Sequence, residues 1–168
     1  MIPALMNSDM AEVVAVASRD LNRARKFADE LEIPQFYGNY QSLLDEADVD
    51  VVYISLPNHL HKPWSIRAAE AGKHVLCEKP ISLNSLECLE MIEAAKRNNV
   101  VLMESFMYRY HPRIKEIREL VRSGDIGDLK IISPSLTFRI KNDQDFRHIP
   151  EMGGGALMDL GCYCVNIS

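Results

Sequence analysis

Nearly continuous apolar runs alternate with amphipathic segments along most of this chain, and few folds accommodate such a pattern. The runs at residues 11–18 and 50–57 are rich in valine and other apolar residues, which predicts strands buried on both sides of a sheet. Between them, Leu21, Ala24 and Phe27 recur at helical spacing. Strands separated by helices of this length predict right-handed crossovers and an α/β fold with a doubly wound parallel sheet.

The same alternation continues to about residue 107. Residues 74–78 and 100–106 predict two further buried strands. Asn84 stands at a helix N-cap position, and Glu87 follows it at the spacing of a capping box. The helix that begins there is predicted to bury one apolar face, which is formed by Leu86, Leu89, Ile92 and either Ala95 or the stem of Lys96.

The pattern changes after residue 107. A helix is predicted next, with its apolar residues on one face at Ile114, Ile117, Leu120 and Val121. The stretch that follows, as far as Ile140, alternates in polarity, which predicts a strand with one solvent-facing side. We therefore expect one α/β domain over residues 1–107 and the incomplete beginning of a second, α+β domain over residues 108–168.

The charge and composition of the chain exclude several classes of partner. A formal net charge of -5 without a cluster of Lys and Arg offers no surface for nucleic acid. No apolar run approaches the ~20 residues of a membrane-spanning helix, and the N-terminal residues lack the pattern of a signal peptide, so we expect a cytoplasmic protein without membrane contact. The sequence has four cysteines, Cys77, Cys88, Cys162 and Cys164. Their spacing is not that of a metal site, and they are predicted to be reduced and to bind no metal.

Polar residues just after the first apolar run are candidates for contact with a dinucleotide, because ligands of open parallel sheets bind at the carboxyl ends of the strands. Dinucleotide-binding folds often have an acidic residue here that repels a 2′-phosphate, whereas this chain has Ser18 and Arg19. A guanidinium pairs with phosphate and stacks on adenine, which favours NADP over NAD. Arg23, one turn further on, is a third candidate. The alternative is that Arg19 is a surface residue before a helix.

The other predicted strand ends supply further candidates for cofactor binding. After the second run these are Leu56, Pro57, Asn58 and His61. The sequence "EKP" adds Glu78 and Lys79 at the end of the strand predicted over residues 74–78, and Arg109 follows the strand predicted over residues 100–106. A lone histidine is more often a cap or a surface residue than a ligand contact, and an arginine among aromatic residues often covers apolar surface.

These strand ends, in this order and spacing, resemble those of the Gfo/Idh/MocA oxidoreductases. "EKP" after a buried strand is the most recognisable signature of that family, and "GGGALMDLGCY" near the end of the chain resembles its second. "VAVASRD", "LPNHLH" and "MYRYHP" are most similar to the branch that contains NADP-dependent D-xylose dehydrogenases and dimeric dihydrodiol dehydrogenases. The resemblance implies a Rossmann-like enzyme, a homo-oligomer in its full-length form, that transfers hydride between NADP and a sugar or diol carbon.

The resemblance also assigns roles to residues of this sequence. It places Lys79 and Tyr163 in catalysis, with the peptide bond between Lys79 and the following proline often cis. Because a nearby ammonium stabilises a phenolate, we expect Lys79 to lower the pKa of Tyr163. Asp159 stands four residues before Tyr163 and would face the same pocket from a helix, where it contacts substrate hydroxyls; the alternative is a helix-cap role.

One family element has no counterpart in this sequence. Family members begin with a strand and a glycine-rich turn for the pyrophosphate, and the first strand is central to the sheet. We therefore expect a sheet interrupted between residues 11–18 and 50–57. Two alternatives to catalysis follow: a non-catalytic protein that pairs with a full-length relative through its open sheet edge, and an NADP-binding sensor without turnover.

Overall fold

Parallel strands and helices alternate along the chain in the computed structural model, which describes residues 1–168. The strands are β1 (Ala15–Ala17), β2 (Gln35–Tyr37), β3 (Val51–Ile54), β4 (His74–Glu78) and β5 (Leu102–Ser105). The α-helices are α1 (Ile2–Met6), α2 (Leu21–Glu30), α3 (Tyr40–Glu46), α4 (His61–Glu70), α5 (Ser85–Arg97), α6 (Pro112–Ser123) and α7 (Cys162–Ile167). The predicted α/β alternation is therefore confirmed. None of these helices has both the length and the apolar character needed to cross a membrane.

The strands form two separate parallel ladders. β1 pairs with β2, and β4 lies between β3 and β5 in the larger ladder. Val75 of β4 is opposite Val52 on one side and Leu102 on the other. No ladder joins β1 to β3, so the predicted interruption of the sheet is confirmed.

The larger sheet carries the main core. Buried side chains from both the strands and the helices around them form one cluster, which contains Leu44, Ile54, Ala68, Val75 and Cys77. Burial raises the pKa of the Cys77 thiol to about 12. Cys77 is thus an unreactive core residue, and the four cysteines are free, as predicted.

The buried face of α5 agrees with the predicted one at Ala95 and differs from it at Leu86 and Leu89. Its buried residues are Met91, Ala94 and Ala95, whereas Leu86 and Leu89 are 70% and 55% exposed. α4 also buries alanines, and small side chains on two facing helices allow their axes to approach closely. The N-terminus of α5 follows the prediction, because the Asn84 side chain accepts a hydrogen bond from Glu87 N at 3.0 Å.

The region after β5 is more exposed than the region before it. α6 buries none of its residues, and Ile117 and Leu120 on its predicted apolar face are exposed. The strand predicted up to Ile140 is not formed, and residues 127–142 contain no regular secondary structure. A strand requires a hydrogen-bonded neighbour, and no segment of residues 1–168 pairs with this stretch.

Residues 145–168 return to the carboxyl ends of the larger sheet. They contain two 3₁₀ turns, Phe146–His148 and Pro150–Met152, and a π-helical turn, Leu157–Gly161, that leads into α7. Asn58, just after β3, donates a hydrogen bond from Nδ2 to the carbonyl of Gly153 at 2.8 Å. This contact holds the glycine run of the C-terminal segment against the edge of the sheet where the strands end.

Candidate active site

The end of β4 brings Lys79 into contact with Asp159. Lys79 Nζ donates to the Asp159 carbonyl at 2.6 Å and to its Oδ1 at 2.9 Å. The two side chains are only 14% and 12% exposed, so solvent screens this ion pair much less than a surface pair. The peptide bond between Lys79 and Pro80 is cis, as the resemblance implied. An ammonium and a carboxylate are thus held together at the edge of the sheet.

Tyr163 completes this cluster from the first turn of α7. Its ring centroid is 4.9 Å from Lys79 Nζ and 5.3 Å from the centroid of Phe106, which meets it edge-on. Asp159 and Tyr163 lie on successive turns of a continuous helical segment, the first of them π-helical. Lys79, Asp159 and Tyr163, three residues singled out in the sequence, are therefore neighbours in the structure.

The predicted effect of Lys79 on Tyr163 is wrong in this structure. Burial raises the pKa of Tyr163, and the negative charges of Glu78, Cys162 and Asp159 add to the rise. Lys79 lies over the face of the ring and its ammonium is paired with Asp159. The phenol therefore keeps its proton at neutral pH.

Arg147 is a site residue that the sequence did not reveal. Its Nε lies 3.2 Å from Asp159 Oδ2 in an ion pair that lacks hydrogen-bond geometry, and its NH1 group pairs with Asp145 at 3.1 Å. Burial acts to lower the pKa of Arg147, but the carboxylates of Asp145 and Asp159 raise it overall. Arg147 belongs to a 3₁₀ turn and has no periodic relation to Asp159, so no local pattern in the sequence indicated their contact.

A cavity of about 360 Å³ opens beside Asp159. Its polar lining comes from Arg147, His148 and Asp159, and part of its apolar lining comes from Phe138 and Leu160. Sites for small molecules combine a mostly apolar wall with a few convergent polar groups. The cavity has that composition, and it reaches the carboxylate that Lys79 contacts.

Glu78 is held in place by Tyr53, which the sequence analysis also missed. Tyr53 donates from its hydroxyl to Glu78 Oε1 at 2.6 Å, and Lys79 N donates to Glu78 Oε2 at 3.3 Å. Burial and the hydrogen bond to Glu78 raise the pKa of Tyr53. Tyr53 points from β3 toward β4 as part of the strand alternation, so only the strand register reveals this pairing.

His61 lies in the interior, and the structure contradicts the prediction that it contacts a cofactor. Its side chain is fully buried. Nδ1 is 2.8 Å from the carbonyl of Pro80 and Nε2 is 2.7 Å from the carbonyl of Leu56. His61 thus joins the chain after β3 to the turn after Lys79, and both of its nitrogens are occupied by protein atoms.

Replacing His61 with leucine is expected to lower the free energy of unfolding by about 1 to 3 kcal/mol, because a buried carbonyl group, that of Pro80 or that of Leu56, loses the imidazole N–H as its donor. Chemical denaturation measures the change. His59→Leu is the matched control, since His59 Nδ1 is buried without a hydrogen-bond partner. That control should be neutral or stabilising, and an equal loss in both variants would contradict the bridging role of His61.

The remaining candidates after β3 and β5 are used partly in contacts within the chain. Asn58 is buried and bonded to Gly153, while Leu56 and Pro57 are half-buried at the same strand end. Arg109 is exposed, and its Nε donates to Asn166 Oδ1 on α7 at 2.8 Å. These residues connect the strand ends to the C-terminal segment.

The candidates of the first strand end lie on the smaller ladder. Arg19 and Arg23 are exposed, and Ser18 is half-buried next to them at the carboxyl end of β1. The Asp20 side chain caps α2 by accepting from Asn22 N at 2.8 Å. Asp20 is thus the residue that caps the helix, and the guanidinium groups of Arg19 and Arg23 face solvent near the carboxyl end of β1.

Parallel strands with polar groups at their carboxyl ends define a Rossmann-like fold of the dinucleotide-binding class. Residues 1–106 match the oxidoreductase family with an NAD-binding Rossmann fold, and residues 114–168 match the GFO/IDH/MocA C-terminal domain. The chain therefore belongs to the Gfo/Idh/MocA oxidoreductase family.

Named relatives and solved structures are similar over nearly the whole chain. D-xylose 1-dehydrogenase (NADP(+)) 2 from Haloferax volcanii is 43% identical over 166 residues, which are 98% of this chain and 50% of that protein. Trans-1,2-dihydrobenzene-1,2-diol dehydrogenase from Xenopus laevis is 42% identical over 92% of this chain and 46% of that protein. The 3-ketoreductase KijD10 from Actinomadura kijaniata, solved with NADP and TDP-benzene, superimposes with a TM-score of 0.89 at 38% identity, over 96% of this chain and 50% of that one. The chain spans about half the length of these proteins.

Proposed function

We propose that this chain is the NADP-binding and catalytic part of an oxidoreductase that transfers hydride between NADP and a carbon of a sugar or diol. The observation that carries the proposal is the cluster of Lys79, Asp159 and Tyr163, with an ammonium 2.9 Å from a carboxylate and 4.9 Å from a phenol ring. We further propose that residues 1–107 form the nucleotide domain and residues 108–168 the start of the substrate domain.

The exposed groups at the strand ends fit a phosphorylated dinucleotide. Arg19 and Arg23 would hold the 2′-phosphate, and the Ser18 hydroxyl would bind the adjacent ribose. At the larger sheet, Glu78 and Lys79 would bind the nicotinamide side, with Leu56, Pro57, Asn58 and Arg109 around them. NADP, when bound, supplies or accepts the hydride.

The chain itself handles the proton. In the direction of reduction, the substrate carbonyl carbon gains a hydride and its oxygen takes the proton of the Tyr163 hydroxyl. The pKa of Tyr163 is raised by burial, so the phenol is protonated at neutral pH and carries the proton that would be transferred. Lys79 would stabilise the negative charge that develops on oxygen, and Asp159 would orient both Lys79 and the substrate.

The test is a hydride-transfer assay on the purified chain, with NADP and D-xylose or a trans-diol, and with NADPH and a keto sugar. Formation or loss of NADPH is followed by absorbance, and the thermal midpoint is measured with and without nucleotide. Turnover supports the proposal. A thermal midpoint raised by NADP without turnover would instead indicate a nucleotide-binding sensor. If neither NADP nor NADPH gives turnover or a higher thermal midpoint, both the oxidoreductase and the sensor functions are rejected for this chain.

Arg19→Ala is expected to weaken the affinity for NADP by about tenfold and to leave that for NAD nearly unchanged, because only NADP carries the 2′-phosphate. Titration calorimetry with both nucleotides measures the two changes. Arg118→Ala on the exposed α6 is the control for loss of one positive charge. Equal losses for NADP and NAD would contradict the assignment of Arg19.

A second candidate function is binding of another chain. β1 and β3 each have one edge without a ladder partner, and such edges accept an added strand. A homo-oligomer or a complex with a full-length relative would use them. Size-exclusion chromatography with light scattering tests this, and a strictly monomeric chain that also fails to co-purify with the relative would reject it.

A further inference from the structure

Four charged side chains form a continuous series of ion pairs that includes Lys79 and Asp159 of the candidate active site. Asp145 pairs with Arg147 at 3.1 Å, Arg147 with Asp159 at 3.2 Å, and Asp159 with Lys79 at 2.9 Å. We propose that Arg147 is a positioning residue, which acts through Asp159 to fix the place of the Lys79 ammonium, and that Asp145 anchors Arg147. The kinetic consequence of this inference rests on the proposed oxidoreductase function.

The two oxygens of Asp159 are divided between two cations. Lys79 Nζ donates a hydrogen bond to Oδ1, and Arg147 Nε lies 3.2 Å from Oδ2 as an ion-pair contact outside hydrogen-bond geometry. With Lys79 as the sole partner, the carboxylate would be free to rotate about its χ2 bond, because terminal sp³–sp² torsions have broad minima. The charge of Arg147 restricts that rotation, so Oδ1 stays in place for Lys79, whose ammonium is also bonded to the Asp159 carbonyl.

Arg147 is itself fixed by two neighbouring side chains, those of Asp145 and Phe146. The Asp145 carboxylate accepts from Arg147 N at 3.0 Å and from its NH1 group at 3.1 Å. The guanidinium carbon lies 4.8 Å from the centroid of the Phe146 ring. A planar guanidinium held by a carboxylate and an aromatic face is ordered well enough to orient a third group.

The main chain joins the same two residues. Gly155 N donates to the carbonyl of Arg147 at 2.8 Å, and Asp159 N donates to the carbonyl of Gly155 at 3.0 Å. The glycine run therefore couples the turn that carries Arg147 to the helical segment that carries Asp159. The side-chain contact between them is reinforced by this backbone connection.

The first experiment does not depend on turnover. The chain is labelled with carboxyl-¹³C aspartate, and the Asp159 signal is assigned by its disappearance in Asp159→Asn. Arg147→Met should move the Asp159 carboxyl signal, Arg147→Lys should return it toward the wild-type position, and the exposed control Arg122→Met should leave it unchanged. An Asp159 signal that does not respond to Arg147→Met in a folded chain overturns the inference.

The second experiment measures the consequence for catalysis. Arg147→Met should lower kcat by about tenfold to a hundredfold, as expected for a displaced catalytic group, and change the dissociation constant for NADP by less than about threefold. Arg147→Lys should recover part of the loss, and Asp145→Asn should give a smaller loss in the same direction. A kcat equal to the wild type, or equal losses in kcat and NADP binding, would overturn the positioning role. Absence of turnover in the wild type would reject the proposed function, while the carboxyl signal still decides whether Arg147 orders Asp159.

Discussion

Lys79→Met is expected to lower the rate of hydride transfer by at least about a hundredfold, while the affinity for NADP changes by less than about threefold. Methionine keeps most of the length and volume of lysine but carries no charge and no donor. The variant removes the partner of both the Asp159 carbonyl and its Oδ1, and it leaves a developing negative charge on the substrate oxygen without an ammonium. Losses of this size are typical when a single electrostatic group is removed from a reacting centre.

Steady-state kinetics and nucleotide titration of the same preparation measure the two effects of Lys79→Met. Lys62→Met is the matched control, because Lys62 also pairs with a carboxylate, that of Glu90 at 2.6 Å, but does so on the surface between α4 and α5. The control should retain nearly full turnover. Full turnover in Lys79→Met would refute the catalytic assignment of Lys79, and a loss of NADP affinity as large as the loss of rate would show that Lys79 acts through cofactor binding alone.

Gly154→Ala is expected to have a large structural effect for the addition of a single methyl group. A Cβ at this position would lie 2.6 to 2.7 Å from three backbone oxygens, those of Phe146, Arg147 and Ile149. Backbone atoms cannot rotate away as a side chain does, so the turn that carries Arg147 must shift. We expect a loss of about 1 to 3 kcal/mol in unfolding free energy, with turnover reduced because Arg147 and Asp159 separate.

Urea denaturation and hydrogen exchange of residues 145–168 measure this effect. Gly161→Ala is the control in the same segment: its added Cβ would meet the Leu157 side chain at 2.7 Å, and Leu157 is 69% exposed and able to move. The control should stay within about 0.5 kcal/mol of the parent. Similar losses of unfolding free energy in both variants would show that the close packing of Gly154 against the three backbone oxygens does not stabilise residues 145–168.

The sequence was informative where a residue's role follows from its neighbours along the chain. The valine-rich runs predicted the strands, and the family resemblance of "EKP" and "GGGALMDLGCY" indicated that Lys79, Asp159 and Tyr163 share one site. These three residues are adjacent in the structure because the C-terminal helical segment, which carries Asp159 and Tyr163, lies against the carboxyl end of β4. The interruption between β1 and β3 followed from the same resemblance, since the family's first strand has no counterpart in this sequence.

The sequence was uninformative where a role depends on packing between distant segments. His61 reads as a polar residue aimed at a ligand, yet it bridges two carbonyl groups inside the fold. Arg147 reads as an ordinary surface arginine, and its importance comes only from its distance to Asp159. Leu86 and Leu89 have helical spacing, but alanines on the other side of α5 allow the closer helix contact. The stretch before Ile140 alternates like a strand and has no neighbour with which to pair.

The hydrogen bonds that assemble the site join residues far apart in sequence. Lys79 and Asp159 are separated by 80 positions, and Asn58 and Gly153 by 95. Contacts of such long range form late, because loop-closure entropy opposes them until local structure is in place. During synthesis, strands β1 to β5 would emerge and compact first, and the contact between Lys79 and Asp159 would form last. Folding and the appearance of the site are therefore separate events in time, and kinetic refolding experiments should resolve a core signal that precedes the site signal.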